Sequence, residues 1–231
     1  CKRFMHKTYK VIVLLFLISF PFPTKAHVQH YEDLNRIEFD IYRNKNHIGK
    51  HIFSFKRLDD QLAVESEINF QIKKFGIVLY KYHVKGTEIY KEGKLIKFNS
   101  KTNQNGKEKY VNMKLENGEY IIDGSSYKGK APLDHVIGTW WNHGIVKTEA
   151  QISAVSGRII KQKVAFLGKE KITINGKEYD ALHFNFSSTD KKLKKNKKLN
   201  TDVWYDEKTL NWIKASFNKK GYWEYRLLSL E

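Results

Sequence analysis

Cysteine is all but missing from this chain. Cys1 is the single one, so no internal disulfide can staple the fold and no thiolate cluster can hold a metal. Proline is equally scarce: Pro21, Pro23 and Pro132 are all there is, which leaves long stretches free to pair as strands. Arginine is sparse too. Beyond Arg3, only Arg36, Arg43, Arg57, Arg158 and Arg226 occur, whereas nucleic-acid readers lean on arginine forks for phosphates and base edges. No nucleic-acid partner is therefore expected. Long apolar runs are also lacking. The longest, 11–20, is apolar apart from Ser19 and is followed by Pro21 and Pro23, well short of the about 20 residues that a spanning helix requires.

What stands at the front instead has the pattern of a secretory signal. Met5 offers a start, Lys7 and Lys10 a positive leader, 11–20 an apolar stretch, and Thr24 and Ala26 small residues at the −3 and −1 positions of a cleavage site. The expectation is a signal peptide over 1–26, cleavage after Ala26, and a single secreted or periplasmic domain over 27–231. Residues 1–26 carry five basic and no acidic residues, which leaves 37 basic against 25 acidic residues in the domain. The excess is mostly lysine, and it fits a solvated face or loose attraction to an anionic envelope surface. A domain of this size can bury a core without staples.

The dominant pattern after Asn35 is alternation with period two. Ile37, Phe39 and Ile41 face one way, Glu38 and Asp40 the other. Over 62–73, Leu62, Val64, Ile68, Phe70 and Ile72 share a face interrupted by Ser66, opposite Glu65, Glu67, Asn69, Gln71 and Lys73. Such strands are half buried and half wet. Further strands are expected near 47–58, 78–90, 95–103, 108–116, 119–123, 160–167, 169–174, 177–187, 201–206, 211–217 and 222–229. Asn105-Gly106, Asn117-Gly118 and Asn175-Gly176 supply the positive φ angles of tight hairpins. Two-residue loops then set Phe98 opposite Met113, Leu115 opposite Tyr120, and Ile172 opposite Tyr179. The fold class is all-β: an antiparallel meander of ten to thirteen strands forming an open barrel or strongly curved sheet. An aperiodic stretch at 125–148 should carry a short helical segment near 132–143, opened by Pro132.

Catalytic signatures are lacking. There is no H-E-x-x-H, no phosphate-binding loop and no G-x-S-x-G. In a strand His47 and His51 share a face but stand about 13 Å apart, too far to hold one ion, so neither a metal nor a cofactor is expected. The most suggestive cluster is Asp134-His135 with Trp140-Trp141-Asn142-His143. It could line a pocket mouth, with Asp134, His135 and His143 moving protons, or one tryptophan could simply plug the barrel end. Inward residues should be Ile37, Phe39, Ile41, Val64, Ile68, Phe70, Ile72, Leu182, Phe184 and Phe186. The lysine run that opens at Lys191 and closes at Lys198 reads as a long hairpin loop able to touch an anionic membrane surface.

Several segments carry a resemblance: Asn46-His47-Ile48-Gly49-Lys50-His51, Thr102-Asn103-Gln104-Asn105-Gly106, Gly138-Thr139-Trp140-Trp141-Asn142, Val203-Trp204-Tyr205-Asp206 and Gly221-Tyr222-Trp223-Glu224-Tyr225. Together they resemble an uncharacterised family of secreted bacterial all-β proteins, a domain-of-unknown-function family. The resemblance implies a curved antiparallel sheet, similar at fold level to the periplasmic lipoprotein carriers, and brings no catalytic residues with it. Two functions follow as expectations. The favoured one is a non-enzymatic module that binds an apolar or amphipathic envelope ligand such as a lipid, through Trp140, Trp141, His143, Phe70 and Phe184. The others are an envelope hydrolase using Asp134, His135 and His143, or a purely structural or interaction protein.

Overall fold

The structure, a computed structural model, describes Tyr31 and residues 33–194 and 197–231. The expected leader 1–26 and its cleavage point after Ala26 lie outside the described residues, as do Lys195 and Asn196 of the lysine run. Fifteen strands follow one another along the described chain: β1 (Arg36–Arg43), β2 (Asn46–Leu58), β3 (Gln61–Lys74), β4 (Ile77–Lys91), β5 (Lys94–Gln104), β6 (Lys107–Glu116), β7 (Glu119–Gly124), β8 (Lys128–Ala131), β9 (Val136–Ile137), β10 (Ala150–Ile152), β11 (Ile159–Ile174), β12 (Lys177–Ser188), β13 (Asn200–Asp206), β14 (Trp212–Asn218) and β15 (Tyr222–Leu230). They form one sheet in the order β8 back to β1, then β15 back to β9. Apart from β8 and β9, consecutive strands pair with each other, and the first and last strands, β1 and β15, pair antiparallel in the middle of the order. The two edges, β8 and β9, are consecutive in the chain but not hydrogen-bonded to each other, so the barrel is open.

The hairpin registers follow from the turns. Phe98 pairs with Met113, Leu115 with Tyr120 and Ile172 with Tyr179, because Asn105, Asn117 and Asn175 sit at φ 52°, 50° and 49° and each is followed by a positive-φ glycine. The expected strands at 160–167 and 169–174 are one long strand, β11, whose ladder shifts register between Phe166 and Gly168. Three short strands, β8, β9 and β10, have no counterpart among the expected ones. They carry too few residues to show a period.

The inner face holds Ile37, Phe39, Ile41, Val64 and Phe186, all fully buried, and Phe70, nearly so. Ile68, Ile72 and Phe184 are half-buried against this core, and Leu182 is half-buried. Around them pack Phe53, Phe98, Trp141, Tyr205 and Trp212, all closed off from solvent. A register shift where Ile41 pairs with Gly49 and Tyr42 with His47 leaves Ile48 as the extra residue of β2. One extra residue reverses the side-chain parity. His47 is therefore exposed and bonds Asp40 at 3.0 Å, while His51 is buried. The two do not share a face, contrary to what simple alternation implies.

The aperiodic stretch crosses the open side. Pro132 begins a turn rather than a helix, and β9 pairs parallel with β10 through Val136–Gln151 and Ile137–Ile152. The helical segment comes later, as a five-residue 3-10 helix at His143–Lys147 capped by Asn142, whose Oδ1 accepts from Gly144 N at 2.9 Å. A side-chain cap decides the start of so short a helix more firmly than a proline that lacks one. Across the gap, Ser126 N donates to Ser156 O at 2.9 Å and Ser100 Oγ to Ala154 O at 2.5 Å. The two halves are thus stitched by bonds to loop carbonyls, one from a backbone N–H and one from a side-chain hydroxyl, instead of by a ladder.

Candidate functional site

Three polar or aromatic groups occupy successive levels along β3. The first surrounds Glu88. On β4 this residue shares the inner face with Val84 and Tyr90, pairs with Val64 and Phe98 on its neighbours, and is 2% exposed. No cation reaches it among the described residues. Trp141 Nε1 and Thr139 Oγ1 both donate to Oε1 at 2.9 Å, and the Tyr90 hydroxyl donates to Oε2. Burial raises the carboxyl's pKa, and the three donors oppose that shift. Tyr31 and Phe55 meet the Trp141 indole edge-on. Tyr31 also accepts from His143 N at 3.2 Å, and burial pushes its hydroxyl up to about 12. The irregular segment is therefore pinned inside the barrel by a buried carboxyl group.

The second level is an aromatic chamber. His51 lies among Phe39, Phe53, Trp212 and Tyr225. Trp140 enters it edge-on, 5.5 Å from Trp212 and 6.0 Å from Tyr225. Trp140 holds φ 59°, a costly conformation for a bulky residue. It turns Trp140 and Trp141 into different parts of the interior, and Tyr205 OH secures it by donating to Trp140 O at 2.9 Å. His51 Nδ1, Trp140 Nε1 and Trp212 Nε1 are buried and meet no hydrogen-bond partner among the described residues. Burial drops the His51 pKa to about 3, so the ring is neutral.

The third level is the barrel end beyond Phe70. Val64 and Phe70 are six residues apart, roughly 20 Å at the rise of a strand. Phe70 stacks on Tyr82 at 4.8 Å and meets Trp223 edge-on at 5.3 Å, Tyr80 continues the array, and Trp223 stacks on Phe217. Beside this array opens a hollow of about 590 Å³, lined by the apolar Ile48, Phe70 and Ile72 and by polar groups that include Arg43, Asn46, His47, Asn69, Gln71 and Lys73. Arg43 lies over the Trp223 ring, 5.8 Å from its centroid. Burial raises the Tyr82 hydroxyl pKa.

The five residues expected to bind a ligand are thus spread over the interior. Trp141 is fully buried against Glu88, Trp140 lines the chamber, and Phe70 lines the hollow. His143 is buried beside Tyr205 and Phe184, at ring distances of 4.7 and 6.0 Å. Rings link Trp140 to Phe70 in steps through Tyr225, Phe217 and Trp223. Asp134 and His135 bond each other at 2.8 Å on the loop between β8 and β9, with Asp134 exposed, whereas His143 lies in the aromatic interior. Among the described residues no group of three or more His, Cys, Asp or Glu is placed to hold a metal ion, and no helix is long and apolar enough to cross a membrane. Sequence reasoning passed over Glu88. Its signal was there: a carboxylate in register with Val84 and Tyr90 on the inward side of an expected strand.

Comparison with known proteins supplies the family. The model of the family described as "Domain of unknown function (DUF6134)" matches residues 39–228, and the chain belongs to that family. Among solved structures, the chain is similar to a beta-barrel-like protein of domain of unknown function DUF1849 from Brucella abortus, with a TM-score of 0.59 and 10% identity over 85% of this chain and 96% of that one. At that identity the likeness shows the fold alone. A comparison with curated proteins finds no match.

Proposed function

We propose that this member of the DUF6134 family is a non-enzymatic binding module of the bacterial envelope, exported on the leader 1–26, whose ligand is amphipathic and carries a negative charge, as a fatty acid or phospholipid does. One observation carries the reading: the hollow beside Phe70 brings the apolar Ile48, Phe70 and Ile72 together with the cationic Arg43 and Lys73 in an otherwise polar lining. Ile48, Phe70 and Ile72 suit an acyl chain by contact area. Arg43 and Lys73 suit an anionic head, and arginine can grip a carboxylate or phosphate through two donors. The volume of the hollow falls within the about 300–1,000 Å³ usual for small-molecule sites. The Trp223 indole sits in the adjoining stack and can report occupancy.

The test is a tryptophan fluorescence titration with palmitate and with phosphatidylglycerol, together with mass spectrometry of organic extracts from gently purified protein. Saturable binding that is weakened at least about tenfold by Phe70→Ala and by Arg43→Gln supports the reading, since each removes one half of the recognition. Absence of both bound lipid and a fluorescence response overturns it. So does a response untouched by either substitution.

A further inference from the structure

The hairpin joining β3 to β4 stands out from its neighbours. The β2 ladder reaches β3 only as far as Phe70, opposite Gly49, and the β5 ladder begins at Tyr82, opposite Gln104. Beyond those pairs, the Asn105 turn touches the strand through Asn105 N to Lys81 O. Residues 71–81 therefore leave the β2 and β5 ladders behind, and past Ile72 and Tyr80, which still pack on the core, the exposed tip 73–79 projects by roughly 7 Å for two residues of strand. This projection is apolar where it should be polar. Phe75 is 92% exposed, Ile77 66% and Leu79 55%, with Val78 between them also exposed. A half-wet strand alternates. Three consecutive exposed apolar residues leave neither face suited to water.

The turn itself adds a second observation. Phe75 and Gly76 occupy the two positive-φ positions, at 50° and 77°. In the hairpins at Asn105, Asn117 and Asn175 the first of these positions is held by asparagine, which tolerates that conformation. Here a bulky aromatic takes it, against its conformational preference, and then points into solvent. Inside the domain nothing is gained by that placement. The charges complete the pattern. From Ile68 to Thr87 there is no acidic residue, and Lys73, Lys74, Lys81 and Lys85 are the charged groups, all exposed. Lys74 lies over the Phe75 ring at 5.4 Å.

We propose that the β3–β4 hairpin tip is a membrane-docking element, with Phe75, Ile77 and Leu79 entering the interface of an anionic lipid bilayer and Lys73, Lys74 and Lys81 resting on its phosphates. An apolar wedge with a basic collar matches the combination of apolar burial and headgroup attraction that holds peripheral proteins on anionic membranes. The depth is appropriate, because such insertions reach about 5–10 Å. Charge complementarity selects an anionic bilayer over a second copy of this chain, whose own surface is net positive. This surface shares only Lys73 with the lining of the hollow, the serine variant leaves that residue in place, and the inference holds whether or not the hollow takes a ligand. It places membrane contact on β3–β4 instead of on the lysine run at 191–198.

Vesicle co-sedimentation tests it, using pure phosphatidylcholine and an equimolar mixture with phosphatidylglycerol. The wild-type chain is expected to bind the mixed vesicles at least about tenfold more tightly than the neutral ones, as several lysines near an anionic surface require. Phe75→Ser, Ile77→Ser and Leu79→Ser combined should abolish binding to both. Lys73→Gln, Lys74→Gln and Lys81→Gln combined should erase only the preference for phosphatidylglycerol. Each triple variant should keep the wild-type unfolding midpoint, because the replaced side chains face solvent. Failure of the wild type to bind mixed vesicles overturns the proposal, as does undiminished binding by the serine variant. Loss of binding on neutralising the lysines at 191–198, with the tip variant unaffected, also overturns it. So does a wild-type dimer in light scattering that the serine variant converts to monomer while neither binds lipid. Absence of any palmitate response with vesicle binding intact would instead count against the hollow alone.

Discussion

The indole Nε1 of Trp141 donates to the Glu88 carboxyl at 2.9 Å, with the indole fully buried and the carboxyl nearly so. The contact joins residues 53 positions apart and ties the irregular segment to the centre of β4. Trp141→Phe keeps most of the ring contacts with Tyr31, Phe55 and Tyr90 but removes one donor from a carboxyl that water cannot reach. The expected loss is about 2–4 kcal/mol, combining lost hydrogen bonding to a buried acceptor with a small cavity. Urea unfolding followed by circular dichroism measures it. A loss below about 0.5 kcal/mol would show that the segment is held by packing alone.

Glu88 also sets a pH dependence. Its pKa is raised in the folded chain above the ordinary 4.5, first of all by burial. The folded state thus binds the proton more tightly than the unfolded state. This contribution is fully present below about pH 4.5 and is lost as pH rises through the elevated value, with a slope of up to about 1.4 kcal/mol per unit. Glu88→Gln retains an acceptor for Trp141 and Thr139 without titrating. The stability difference between the Glu88→Gln variant and the wild type should move in favour of the variant from about pH 4.5 upward. A difference that is constant with pH would refute the assignment.

His51 acts in the opposite window. Burial lowers its pKa to about 3 from 6.5, so the unfolded state binds the extra proton between those values. Its contribution to stability is present above about pH 6.5 and falls away as the solution is acidified toward about pH 3, again by up to about 1.4 kcal/mol per unit. His51→Phe suits the ring-lined chamber of Phe39, Phe53 and Trp212. The variant should gain on the wild type as pH drops from about 6.5 to about 4.5. Parallel stability curves for the two proteins over that range would contradict this.

Gly124 tests how the barrel's open side is closed. A Cβ at this position would stand 2.6 Å from Ser156 O and 3.0 Å from Gly157 Cα, both backbone atoms of the facing loop. Gly124→Ala must push the loop at 153–157 away from β7, at a cost of about 1–3 kcal/mol. Faster amide exchange at Ser126, whose N–H bonds Ser156 O, should accompany the loss. Unchanged exchange there would show that the two halves do not depend on this contact.

The sequence by itself determined the strands and their hairpins. Period-two alternation and Asn-Gly turns are local properties, and they set pairs such as Leu115 with Tyr120 without reference to the rest of the chain. Phe70 was legible as an inward residue for the same reason. The remainder was decided by contacts between distant residues. The pairing of β1 with β15 brings Ile37 beside Leu230, and no local pattern encodes that partner. A single extra residue in β2 sent His51 inside and His47 out, because a bulge reverses every side chain beyond it. Glu88 shares the inward register of Val84 and Tyr90, but how a carboxyl is accommodated there is set only when Thr139 and Trp141 arrive with their donors. Only the folded barrel excludes water around it, and a carboxyl withdrawn from water must find its hydrogen bonds in whatever the tertiary structure brings there.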